Sequence, residues 1–228
     1  MEIKTKAGIK AALAAKAKRS GVKIASATHN RRKTATEKTV KEAEVPVQTD
    51  TVAMSDKKKI LFVASECTPF IQTGGLAEVV GSLSKALAAS GKFDVRVVIP
   101  MYSDIKWEYK QKFNYIGNIY VPLAWRNQYC GIFTYEKDGV TFYFLDNEFY
   151  FKRPGCYGYF DDGERFAFFS RSVLEIMPFI NFYPDIMHCH DWQAALAAIY
   201  LKTNYCFRQE YQFIRALFTI HNIEYQGI

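Results

Sequence analysis

Residues 1–58 contain no phenylalanine, tryptophan or tyrosine, although the whole chain of 228 residues carries 18 Phe, 15 Tyr and 3 Trp. A segment without aromatics buries too little apolar surface to offset its ordering entropy, which predicts disorder over 1–58. It also excludes an aromatic carbohydrate-binding module there. No apolar run approaches the ~18 residues of a membrane span, so a membrane partner is not expected. The five cysteines (Cys67, Cys130, Cys156, Cys189 and Cys206) form no CxxC pair. Their scattered, odd set implies no metal site, and without a secretory signal it points to reduced thiols in a cytoplasmic compartment. No Gly-Lys-Ser/Thr follows a glycine loop, and no GxGxxG occurs, so neither phosphate-binding fingerprint is present.

A positive excess is lacking from most of the chain, despite a net charge of +7. Residues 1–59 hold fifteen Lys/Arg and six Asp/Glu, a net of +9, and the remainder is at −2. The foldable part is therefore near neutral, which argues against a nucleic-acid groove. The basic extension reads as a solvated linker, as an arm for an acidic partner, or as a plastid transit peptide. Glu37, Glu42 and Glu44 count against the last of these.

What is present centres on Lys59 to Ala89, KILFVASECTPFIQTGGLAEVVGSLSKALAA. Ile60 to Ala64 suits a parallel strand buried on both faces. Leu76, Val79, Val80, Leu83 and Leu87 recur at helical spacing. Gly74 and Gly75 stand between them. Free backbone N–H groups at a helix start, with glycine allowing close approach, make this turn a candidate phosphate site. Many α/β proteins carry the same turn without a ligand. Asp94 to Pro100 reads as a second strand, completing a right-handed βαβ unit.

Ile116 to Leu123, Tyr129 to Tyr135 and Val140 to Leu145 predict an antiparallel insertion, with Lys137-Asp138-Gly139 as a hairpin turn. Asn147 to Gly163 is an aromatic, glycine-bearing loop of the length that usually serves function. A helix from Phe166 to Met177 follows, capped by Asp162 or Gly163 and ending near Pro178. Asp185 to Cys189 and Ala216 to Ile220 are further parallel strands, separated by a helix over Trp192 to Leu201. The chain ends at Ile228 in mid-unit, which reads as a truncated domain.

The polar residues gather beyond the strand ends: Gln72 to Gly75, His190-Asp191 and His221-Asn222. Open parallel sheets bind ligands along that edge. Each residue also has a plainer role. Asp191 is a natural N-cap for the following helix, and His188 a core histidine. His221 and Asn222 are ordinary turn residues. Asp161 and Asp162 suit a helix dipole. His190, one residue beyond the expected strand end at Cys189, is expected to face the cleft.

SECTPFIQTGGLAEVVGSLSKAL, YGYFDDGERFAFFSR, PDIMHCHDWQAAL and FTIHNIEYQG occur in this order. Together they resemble the N-terminal motifs of bacterial glycogen synthases and plant starch synthases, and the similarity runs from Lys59 to Ile228. The bacterial type is the nearer, with a plastid enzyme as the alternative. The resemblance implies the Rossmann-like N-terminal domain (59–228) of a GT-B glycosyltransferase, an α/β fold with a mostly parallel sheet. That enzyme transfers glucose from ADP-glucose to the non-reducing end of an α-1,4-glucan such as glycogen, with retention. No cofactor or metal is implied.

By matching motif positions, Gly74 and Gly75 would contact donor phosphate and Asp161 would hydrogen-bond sugar hydroxyls. His190 would hold the transferred glucose, with Asp191, His221 and Asn222 lining the same cleft. Gln72 stands where the family has lysine, and so carries no charge toward the donor. The family's C-terminal domain, with its Arg/Lys pair, lies outside this sequence, which implies no transfer by this chain alone. A second reading is a non-catalytic glucan-binding or regulatory piece that docks on a full synthase through its basic tail. A dehydrogenase-like reading lacks its glycine fingerprint and an acidic end to the second strand.

Overall fold

A computed structural model describes residues 57–225 and 227. The disorder expected for 1–58 falls almost wholly outside them; Lys58 itself opens the first strand. The described residues form one seven-stranded sheet in the order β3-β4-β5-β2-β1-β6-β7. The strands are β1 (Lys58–Val63), β2 (Phe93–Pro100), β3 (Asn114–Leu123), β4 (Arg126–Lys137), β5 (Val140–Asp146), β6 (Ile186–His190) and β7 (Arg215–Thr219). The helices are α1 (Gly75–Ala89), α2 (Trp107–Lys110), α3 (Glu148–Phe151), α4 (Asp162–Phe179) and α5 (Asp191–Thr203), with one 3-10 turn at Gln209–Tyr211.

β1 pairs in parallel with β2 on one side and β6 on the other. Its residues from Leu61 to Val63 are wholly buried, as a strand covered on both faces requires. β2–β5 and β6–β7 continue the parallel pairing. The predicted insertion is present: β3, β4 and β5 are joined by antiparallel ladders at one edge. Lys137 pairs with Val140 across the two-residue turn Asp138-Gly139. Both turn residues have positive φ, the conformation that matches hairpin twist.

From β1 the chain crosses over α1 to β2, then later returns past β1 through α4 to β6. Right-handed crossovers in these opposite directions place α1 on one face and α4 with α5 on the other. The sheet's direction of winding thus reverses between β1 and β6. Phe70, from the β1–α1 connection, sits edge-on to Phe142 and Phe144, and Phe113 stacks on Phe144 at 3.8 Å. This aromatic cluster ties the insertion to the central strands.

Helix starts differ from expectation in two places. Asp161, not Asp162 or Gly163, occupies the position before α4, and its side chain makes no capping bond. Asp191 does not cap α5. It is the first residue of that helix, with a left-handed φ of 57°, and His190 takes the position before it. The strand runs one residue further than the sequence suggests, because His190 still pairs with Thr219 of β7.

Gly81 in α1 has a packing reason. A Cβ there would lie 2.1 Å from Thr68 Oγ1 and 2.8 Å from its carbonyl oxygen. Gly81→Ala would gain ~1 kcal/mol of helix propensity. The overpacking against backbone costs about 1–3 kcal/mol, and the variant is expected to melt lower than wild type in a thermal scan. A raised melting temperature would show that Thr68 yields freely.

Candidate functional site

Winding reversal leaves a crevice beyond the carboxyl ends of β1 and β6, where no crossover fills the sheet edge. A cleft of about 860 Å³ lies there. Its walls come from four stretches: the β1 exit with the glycine turn (Glu66, Thr73, Gly74, Gly75), the aromatic loop (Tyr157, Gly158, Tyr159, Asp162), the start of α5 (Asp191, Trp192, Gln193), and the segment after β7 (His221, Asn222, Tyr225).

Five residues expected from the sequence meet in this cleft: Gly74, Gly75, Asp191, His221 and Asn222. The glycines are informative. Neither has a left-handed φ, and a Cβ on either would meet nothing within 4 Å. Neither backbone conformation nor packing demands glycine there, so bare backbone facing the cleft is the property that remains. Gln72 lies on the exposed shoulder of the same turn, outside the cleft lining.

His190 is not in the lining either. It is fully buried, closes β6, and stacks on Phe62 at 5.5 Å. His188 lies 4.0 Å away between ring centroids and bonds Thr219 Oγ1 at 2.8 Å, the core role expected for it. His221, which does line the cleft, is hydrogen-bonded through its Nε2 to His190 Nδ1 at 2.9 Å. The His221 amide in turn donates to Asp191 Oδ1 at 2.6 Å. The carboxylate expected to cap its own helix instead fixes the segment after β7, and the left-handed backbone of Asp191 is what aims it there. Non-glycine residues in that conformation concentrate at functional sites.

Asp161 points elsewhere. Arg153 grips it with two bonds of 2.6 and 2.8 Å, which hold its carboxyl below the usual range. Its neighbour Asp162 reaches the cleft wall. Asp162 accepts the amides of Gly158 and Tyr159 at 2.8 and 3.2 Å and pairs with Arg165. Arg165 is wholly buried and also bonds the carbonyl oxygens of Tyr150 and Cys156, so it pins the aromatic loop onto α4.

Glu66, Tyr157, Trp192 and Gln193 line the cleft without having been expected from the sequence, while Thr73 falls within the expected Gln72 to Gly75 stretch. Glu66 lies three residues beyond Val63, the last residue of β1, so the strand-end rule would have found it. Tyr157 carried no comparable signal beyond its place in the aromatic loop.

Residues 59–228 match the family model described as the starch synthase catalytic domain. The chain belongs to that family. Among curated relatives, this domain is 54% identical over 170 residues to a glycogen synthase of Desulforamulus reducens and 49% identical over 170 residues to one of Geobacillus stearothermophilus. Each match covers 75% of this chain and 35% of the relative, so the chain spans about a third of the length of these enzymes. Among solved structures, the catalytic domain of starch synthase IV from Arabidopsis thaliana, bound to ADP and acarbose, superimposes with a TM-score of 0.68 at 30% identity. That match covers 75% of this chain and 35% of the other. The α/β fold and the glycosyltransferase assignment expected from the motifs both hold.

In this starch synthase domain, burial sets the histidine chemistry. Burial first, then the neighbouring His188 and His221, pushes the His190 imidazole down to about 3. Burial and His221 lower His188 as well. A histidine held neutral in the fold takes up a proton more readily when unfolded. Its stabilising contribution is therefore complete above the unfolded value near 6.5 and is lost as pH falls from there toward 3. The urea midpoint is expected to drop between pH 7 and pH 4, and to drop less in His190→Gln. Equal slopes for the two proteins would refute this account.

Proposed function

We propose that this domain is the acceptor-side part of a synthase that transfers glucose from ADP-glucose to the non-reducing end of an α-1,4-glucan, with retention at the anomeric carbon. The observation that carries the reading is the lining of the cleft. Asp162 and Asp191 bring carboxylates, Tyr157, Tyr159, Trp192 and Tyr225 bring aromatic rings, and no lysine or arginine is among the lining residues. Carboxylates and amides accept hydrogen bonds from sugar hydroxyls. Flat rings pack against the C–H faces of a pyranose. A diphosphate finds no lysine or arginine among these residues, and the backbone N–H groups of the glycine turn and the start of α1 are the anion site they offer.

Under this reading Gly74 and Gly75 receive the donor phosphate. Asp191, His221 and Asn222 hold sugar. His190 acts from behind His221, and Asp161 joins only if Arg153 releases it. Positive charge for the departing diphosphate comes from the part of the enzyme that the relatives have beyond this span. The same absence of cations favours glucan binding without transfer by residues 59–228 alone, which is the second reading. A cytoplasmic location belongs to the same proposal.

Titrating the chain with maltoheptaose and, separately, with ADP while following amide resonances tests the assignment. Maltoheptaose is expected to shift Gly74, His221 and Asn222, with ADP the weaker ligand. Tight ADP binding with no response to the glucan would overturn it. Gln72→Lys places a cation on the shoulder of an acidic cleft and is expected to tighten ADP binding several-fold at low salt, an effect that fades as salt is added. No change in ADP affinity would place the phosphate away from the glycine turn.

A further inference from the structure

Glu66 lines the cleft and is 3% exposed, yet nothing in the proposed chemistry uses it. It stands just past the end of β1, the strand anchored on both sides. Its Oε2 accepts the amide of Thr73, its Oε1 accepts the Thr73 hydroxyl at 2.7 Å, and the same oxygen accepts the Tyr157 hydroxyl at 2.6 Å. Tyr157 also lies 2.7 Å from Ser65 Oγ. The phenol has one proton and gives it to the carboxylate, so Ser65 is the donor in that second bond. Burial first, then Tyr102 and Glu66, pushes the phenol well above its ordinary range, which keeps that proton in place.

The three donors come from two walls of the cleft. Thr73 belongs to the glycine turn, and Tyr157 to the aromatic loop 91 residues beyond Glu66. Among the ion pairs of the described residues none involves Glu66. A buried carboxylate met only by neutral donors is a costly way to gain stability, since an uncharged side chain would avoid the desolvation. With about four acceptor sites and three of them used, it has little left for a ligand. Its remaining property is reach: one rigid group holds both walls.

We propose that Glu66 is the positioning residue of the cleft, coupling the glycine turn to the aromatic loop so that the two walls keep a fixed separation. The coupling is a property of the chain itself; only its effect on ligand affinity rests on the glucan reading above. Coupled sites respond to each other reciprocally. Removing the Tyr157 hydroxyl must therefore loosen Thr73, which it does not touch.

The test is hydrogen exchange of the Thr73 amide by NMR in the full chain, for wild type, Tyr157→Phe, Glu66→Gln and Glu66→Ala, with maltoheptaose titrations alongside. Tyr157→Phe deletes one bond to a charged group and is expected to lower Thr73 protection about tenfold. Amides of β1 and β6 should keep wild-type exchange. Glu66→Gln retains a carbonyl acceptor and should keep part of the protection, whereas Glu66→Ala should abolish it and weaken maltoheptaose about tenfold. Wild-type exchange at Thr73 in Tyr157→Phe would overturn the coupling, whatever the glucan does. A wild-type chain that ignores maltoheptaose would instead sink the glucan reading, and the exchange data would still decide the role of Glu66. If Glu66→Ala does not fold, Tyr157→Phe carries the decision.

Discussion

β1 is bonded in parallel on both sides and buried on both faces. That single constraint shapes the rest of the domain. The enclosed part of β1, Ile60 to Val63, has no room for polar side chains, so its chemistry collects beyond its carboxyl end. The direction of winding reverses between the parallel strands β1 and β6, so no crossover covers that end. Glu66, the glycine turn and the start of α5 meet there because the backbone hydrogen bonding of two neighbouring strands brings their exits side by side.

Around this edge the domain spends charge sparingly and ties its loops with it. Arg165, fully buried, binds two loop carbonyls and Asp162. Arg153 holds Asp161. Asp191 holds the segment after β7, and Glu66 holds the glycine turn and Tyr157. The arginine bonds are local, whereas the Asp191–His221 and Glu66–Tyr157 bonds span 30 and 91 residues, and together they build a cleft from loops that have little regular structure of their own. The walls that result are acidic and aromatic, better suited to a neutral polyhydroxylated chain than to an isolated diphosphate.

The fold was largely legible in the sequence, for physical reasons that act locally. Buried parallel strands need short apolar runs, as in ILFVA. Amphipathic helices need a 3.6-residue period, as in Leu76 to Leu87. A two-residue hairpin needs Asp-Gly. The motifs around Gly74, His190 and His221 were visible too, and they converge on one edge as strand-end logic requires. The limits of that logic show at single residues. His190 was expected to face the cleft, but β6 runs one residue further and buries it behind His221. Asp191 suited a cap, yet its left-handed backbone turns the carboxylate toward another loop.

Asp161 and Asp162 mark the same boundary most sharply. Their positions before a helix were plain in sequence, but which one faces the cleft depends on Arg153 and Arg165, each a partner brought in by folding. Glu66 and Tyr157 are joined only because a loop 91 residues away comes to rest at the end of β1. The sequence by itself determined the sheet, its helices and the family, since strand burial, helical period and turn geometry depend on neighbours in the chain. Only the tertiary structure decided which carboxylates line the cleft and which are held away. A hydrogen bond forms with whatever donor arrives in space, and a sequence does not list those arrivals.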